Sequence, residues 1–154
     1  MKSFMFLILS ILLPLGAGFI GSYFTTPSIQ SWYLYINKPP FNPPNWVFGP
    51  VWTVLYILMG ISFYLYSKSE EKTKKGYIFY FIQLVLNTLW SILFFGLQNP
   101  LLGLIEIVIL LVFIILTARE FRIANKTSAL LLLPYLAWVS FASILNLSIF
   151  LLNR

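Results

Sequence analysis

The chain has 154 residues, 60% of them hydrophobic and 9% charged, far from the roughly 45–50% and about 25% of soluble domains. It contains no Cys and no His, which excludes disulfides, thiolate chemistry, zinc sites and the usual axial ligands of haem iron. The length suits one domain over 1–154, and the net charge of +6 reads as a nucleic-acid signal only until its distribution is counted.

Taken in order, five apolar runs reach the roughly 20 residues that cross a bilayer as a helix: about 4–25, 46–67, 77–97, 100–119 and 128–152. The runs are continuous rather than alternating, which argues against a transmembrane β-barrel. The expected fold is an all-α membrane protein, a bundle of five transmembrane helices. The first run follows Lys2 and resembles a signal peptide, but it is long for an h-region and lacks a clean small-x-small cleavage site. Its pairs Ala17/Gly21 and Gly18/Ser22, four apart, suit close helix packing in lipid.

The stretch 32–52, WYLYINKPPFNPPNWVFGPVW, follows. It holds three of the five tryptophans and five of the nine prolines, so it cannot be one continuous helix. A stiff aromatic connection between spans suits a cover over something. Asn45 is placed to cap the second span. The segment 67–76 reads as a solvated charge cluster, 98–100 as a tight turn and 118–126 as a second basic connection. Pro134 is expected to kink or loosen the fifth span in its first half.

With five spans, Lys2, Lys68, Lys72, Lys74, Lys75, Arg119, Arg122 and Lys126 share one face, against Lys38 and Arg154 on the other. Eight against two is a positive-inside bias. It predicts a cytoplasmic N-terminus with the Trp-rich loop and C-terminus outward, and it accounts for the charge without nucleic acid.

Residues three or four apart share a helix face. Such stripes are Trp52, Tyr56, Met59 and Phe63 in the second span, Gln83, Asn87, Trp90, Ser91 and Phe94 in the third, and Tyr135, Trp138, Ala142, Leu145 and Asn146 in the fifth. Counting along the helices puts Trp52 about 9 Å and Asn87 about 15 Å below the outer face, so the stripes converge beneath the loop. Aromatic walls with a few polar groups are the usual make-up of a small-molecule site. The plainer readings stand beside this one: Trp32 and Trp46 suit an interfacial belt, Trp52, Trp90 and Trp138 suit bundle packing, and Asn87 suits an interhelical hydrogen bond. Glu106, the one acid inside a span, reads either as a functional carboxylate or as a structural clamp. No metal site and no acid, base or nucleophile constellation is present, so hydrolysis and group transfer are not expected.

Four segments resemble one known family. W-Y-x-x-x-x-K-P-P-F-x-P-P-x-W-x-F-G-P-V-W-x-x-L-Y at 32–56, N-x-x-W-S-x-x-F-F-G at 87–96, the acid in L-I-E-I around Glu106, and L-P-Y-L-A-W-V-S-F-A-S-x-L-N at 133–146 are similar to the TspO/MBR family, the translocator or peripheral-type benzodiazepine receptor family. The resemblance implies a first loop folded over a ligand pocket, with Trp32, Pro39, Pro40, Pro43, Pro44 and Trp46 as the lid and Tyr33, Trp52, Tyr56, Asn87, Trp90, Trp138, Ala142, Leu145 and Asn146 as pocket residues. It implies porphyrins such as protoporphyrin IX, haem and other flat hydrophobic molecules as ligands rather than cofactors. For some bacterial members it implies light-dependent porphyrin breakdown through the tryptophans matching Trp52 and Trp138. A stress-regulatory scaffold and a homodimer are further expectations. One departure is in the tail after Asn146, LSIFLLNR, which has no Tyr between Leu147 and Arg154. The family's mitochondrial sterol pattern is therefore incomplete, which puts cholesterol in doubt and fits a member from a prokaryotic cell membrane.

Overall fold

The computed structural model describes residues Met1–Arg154, all helix, turn and loop with no strand. Seven α-helices follow in order: α1 Lys2–Ile29, α2 Trp32–Tyr35, α3 Asn45–Lys68, α4 Lys74–Ser91, α5 Pro100–Ala124, α6 Lys126–Leu131 and α7 Leu133–Leu152. A π-helical turn, Ile92–Gly96, continues α4. Counting α4 with its π turn and α6 with α7 gives five helical segments long and apolar enough to cross a membrane. In hydrocarbon a spanning backbone must satisfy its own hydrogen bonds, and a helix does so within one segment.

Three local expectations are corrected. Pro44 occupies the N-cap of α3 and Asn45 is its first helical residue, so Asn45 makes no cap. Residues 118–124 are not a connection but the last turns of α5, leaving Asn125 alone at the α5–α6 junction. Arg, Glu and Ala are good helix formers, and nothing in that stretch stops propagation. Asn125 also caps α6, its side chain accepting from the Ser128 N–H at 3.0 Å. Pro134 does not kink a continuous helix; the chain breaks at Leu132 and Pro134 opens α7 in its first turn. A proline lacks the N–H that the first turn leaves unpaired anyway, so it starts a helix more readily than it interrupts one.

The helices form a closed ring. α3 packs on α1, α1 on α4, α4 on α5, α5 on α7, and the short α6 brings the chain back onto α3. The α1–α3 seam is the tightest: a Cβ at Gly60 would collide with the Ile11 backbone and lie 2.6 Å from the Ser10 carbonyl oxygen, so only glycine permits this approach. One end of the ring gathers the charges. There Lys75 pairs with Glu120 at 3.2 Å and the Ser69 hydroxyl donates to the Ala124 carbonyl at 2.7 Å. At the other end the Asn37 N–H donates to Asn153 Oδ1 at 2.9 Å and Asn153 Nδ2 returns a bond to the Asn37 carbonyl at 2.8 Å. The first loop and the C-terminus are thereby tied together, and the bundle has a basic end and a loop end.

The basic half is solid. Tyr66 lies flat on Phe121 with centroids 4.0 Å apart, and Phe63 on Tyr80 at 4.5 Å. Ser62 and Ser128 exchange hydrogen bonds with one another's carbonyls at 2.7 and 2.6 Å, drawing α6 onto α3. On the loop side of that knot α7 diverges from α3, and the interior opens.

Candidate ligand-binding site

A cavity of about 410 Å³ lies in the loop half, between α1, α3, α4 with its π turn, and α7. All nine sequence-predicted pocket residues, Tyr33, Trp52, Tyr56, Asn87, Trp90, Trp138, Ala142, Leu145 and Asn146, line it. The helical period explains the convergence, since each stripe turns one face inward and three such faces meet where α7 leaves α3.

The walls are aromatic and mutually braced. Trp52 stacks on Tyr56 at 5.5 Å and meets Tyr135 edge-on at 6.2 Å. Trp90 stacks on Phe94 at 5.1 Å. Phe48 stands edge-on to Trp138 at 6.0 Å. The Tyr56 ring can lie against α1 because residue 18 is glycine; a Cβ there would come within 2.7 Å of Tyr56 Cδ2.

The polar groups on the floor are largely spoken for. The Tyr56 hydroxyl donates to Asn87 Oδ1 at 2.6 Å, and Asn87 Nδ2 donates to the Tyr135 hydroxyl at 2.8 Å. Asn146 Oδ1 accepts from the Trp90 indole N–H at 3.0 Å, and its Nδ2 donates to the Pro100 carbonyl at 2.8 Å. Asn87 and Asn146 are therefore both interhelical clamps and lining residues. Trp90 is the one tryptophan whose indole N–H finds a protein acceptor; those of Trp52 and Trp138 make no hydrogen bond within the protein.

The proline loop reaches the cavity at few points. Tyr33, only 2% exposed, lines the cavity from α2, and Asn45 and Phe48 do so from the start of α3. None of Trp32, Pro39, Pro40, Pro43, Pro44 and Trp46 lines it. Trp32 instead packs edge-on to Phe94 at 5.6 Å, Pro39 is buried, and Trp46 points outward, 75% exposed. Tyr33 anchors the loop. Its hydroxyl donates to Asn42 Oδ1 at 2.9 Å, while the Lys38 ammonium donates to the Tyr33 and Ile36 carbonyls at 2.6 and 3.0 Å. Burial pushes the Tyr33 hydroxyl up to about 12, so it stays protonated throughout the physiological range.

The α1 wall is what sequence reasoning missed. Gly18, Ser22, Thr25 and Ile29 line the cavity. The signal was present in their spacing, four, three and four, but small residues at such intervals read first as helix packing. Here they do both: Gly18 admits Tyr56, and the adjacent Gly21 lets the Ser91 side chain approach. Glu106 stands apart from the lining. It is 4% exposed, and neither carboxylate oxygen has a hydrogen-bond partner. It lies one turn of α5 beyond Gly103, which packs on Phe94 and Asn146.

Comparison with known proteins shows the family. The model of the TspO/MBR family matches residues 10–152. The chain belongs to the TspO/MBR family. It is 52% identical over 148 residues to the Tryptophan-rich protein TspO of Archaeoglobus fulgidus, covering 96% of each chain. It is 46% identical over 157 residues to that of Chlorobaculum tepidum, covering 99% of this chain and 98% of the relative. Against the Translocator protein of Bos taurus it is 35% identical over 139 residues, 88% of this chain and 82% of the relative. All four motifs that carry the TspO/MBR resemblance fall inside the matched residues.

Proposed function

We propose that this protein is a membrane receptor or carrier for tetrapyrroles, protoporphyrin IX foremost, and for similar flat hydrophobic molecules, which it takes into the loop-half cavity. The observation that carries the reading is the cavity's make-up. About 410 Å³ falls within the roughly 300–1,000 Å³ of small-molecule sites. Its walls are aromatic faces, on which a flat ring stacks favourably. Among the unengaged donors of its lining residues are the Trp52 and Trp138 indole N–H groups, which suit a carboxylate or carbonyl at the ligand's rim. With neither His nor Cys in the chain, the site offers no strong ligand to iron, so metal-free porphyrin binds at least as tightly as haem. Names such as Translocator protein among the relatives accord with a carrier role. The eight-to-two division of cations supports a prokaryotic cell membrane orientation with the basic end cytoplasmic and the loop outward.

The test is a protoporphyrin IX titration in detergent or nanodiscs, followed by quenching of tryptophan fluorescence, on the wild type and Trp52→Phe. Saturable quenching that weakens several-fold in the variant is expected. An absence of saturable quenching, or haem binding tighter than protoporphyrin with an axially coordinated spectrum, overturns the reading.

A second reading rests on two tryptophans without an indole acceptor lining one cavity: light- and oxygen-dependent porphyrin breakdown with Trp52 and Trp138 as the oxidisable groups. Illumination of the complex in air, with porphyrin absorbance followed, separates the two. Equal bleaching in Trp52→Phe and Trp138→Phe reduces the tryptophans to walls.

A further inference from the structure

A second concavity lies at the opposite end of the molecule, on its outer surface. A groove of about 430 Å³ runs between the end of α5 and the α6–α7 junction. Its existence follows from the break at Leu132: α6 turns in to meet α3, α7 restarts at Pro134, and the angle between them leaves a notch against α5. Its upper rim carries Arg119, Arg122 and Lys126, and its wall carries Ile115, Leu130 and Leu133. All six are exposed.

One groove gathers them into one surface. Ile115, Arg119 and Arg122 succeed one another by four and three along α5, so they share one helix face; Lys126 and Leu130 are four apart on α6, and Leu133 joins them as the first residue of α7. The cations are uncommitted. The chain's single ion pair, Lys75–Glu120, lies elsewhere, and it occupies the only acid of α5's last turns. No acidic residue lines the groove. Three unpaired cations at the polar end of an apolar, membrane-facing channel make an amphipathic site with a fixed direction. A guanidinium pair one helical turn apart suits a phosphodiester, with its several acceptor oxygens, and the aliphatic wall below suits an acyl chain.

From this juxtaposition we infer that the α5–α6–α7 groove is a binding site for an anionic phospholipid of the leaflet at the basic end. Arg119, Arg122 and Lys126 hold the phosphodiester, and Ile115, Leu130 and Leu133 bed the chain. The site is separate from the loop-half cavity and independent of what that cavity binds. Basic pockets between spanning helices on the positive side of a membrane protein recognise anionic head groups in this way.

The experiment is native mass spectrometry of the full chain in detergent, with phosphatidylglycerol and phosphatidylcholine supplied in equal amounts. The wild type is expected to retain phosphatidylglycerol over phosphatidylcholine by at least about tenfold, and each of Arg119→Gln, Arg122→Gln and Lys126→Gln to weaken retention roughly fivefold. A control that removes three charges from the same end outside the groove, Lys2→Gln with Lys72→Gln and Lys74→Gln, is expected to retain it like the wild type. All the substituted groove residues are exposed, so thermal melting of the variants in phosphatidylcholine should match the wild type and exclude misfolding. Equal retention of the two lipids overturns the inference. So does equal loss in the control, which would mean diffuse attraction, or displacement of phosphatidylglycerol by millimolar inorganic phosphate, which would mean a free-anion site.

Discussion

At the basic end Tyr66 lies on Phe121 with the rings 8° from parallel, while at the loop end Trp52, Trp90 and Trp138 line about 410 Å³ of space. Both halves are built from large aromatics, so residue type does not distinguish core from cavity. The difference lies in what draws the helices together. In the solid half, small polar residues bond directly to backbone across the α3–α6 seam, as Ser62 and Ser128 do, and glycine lets α1 touch α3. In the hollow half the cross-links are longer. Asn87 reaches Tyr56 and Tyr135 through their hydroxyls, and Asn146 reaches Trp90 through its indole. A carboxamide bridged to a ring hydroxyl spaces two helices by a whole side chain, and the gap is kept rather than filled.

That contrast can be broken from its solid side first. Tyr66→Ala removes a fully buried ring from the stacked end, and a loss of about 3–5 kcal/mol is expected, read as a lowered midpoint of thermal or denaturant unfolding in detergent. Next in size is the clamp: Asn87→Leu leaves the Tyr56 and Tyr135 hydroxyls without their partner, costing about 1–3 kcal/mol in the same assay. If the spacing argument is right, Asn87→Leu also alters porphyrin affinity, whereas Tyr66→Ala leaves it unchanged in whatever fraction stays folded. Ala142→Phe sharpens the comparison from the hollow side. It fills the cavity without disturbing the stacked core, so stability should change by less than about 1.5 kcal/mol while porphyrin affinity drops about tenfold or more, a cost of about 1.4 kcal/mol or more in binding. A large stability loss from Ala142→Phe would mean that the space was never available to a guest. The smallest effect belongs to the turn that ends the π segment. Gln98 has φ 53°, a left-handed conformation that disfavours residues with a Cβ, so Gln98→Gly is expected to gain under about 1 kcal/mol with binding unaffected.

The legible part of the site was the part written in helical period. Trp52 and Tyr56, Asn87 and Trp90, and Trp138, Ala142 and Leu145 are spaced to share faces, and one cavity gathers all of them. The fourth wall was not legible, because a Gly18–Ser22–Thr25 face is equally suited to touching a helix and to lining a space. Nor was the commitment of the Asn87 carboxamide, for which a ligand contact and an interhelical bond were both open: Tyr56 and Tyr135 hold both its ends. Asn45, expected as a cap, lines the cavity instead.

By itself the sequence determined the number of spans and their alternation. Lipid leaves a crossing backbone no solution but to bond within its own segment, and that constraint acts on each run separately. It likewise determined that the cations collect at one end, since alternation alone sorts them. The tertiary structure decided where the ring of helices is solid and where it is hollow, and where the fifth span breaks. It also decided which amides are spent on clamping, and that Arg119, Arg122 and Lys126 share one groove. Those outcomes depend on which side chain faces which across a seam, and such pairings join residues as far apart as Ser62 and Ser128 or Asn37 and Asn153, whose meeting no local pattern encodes.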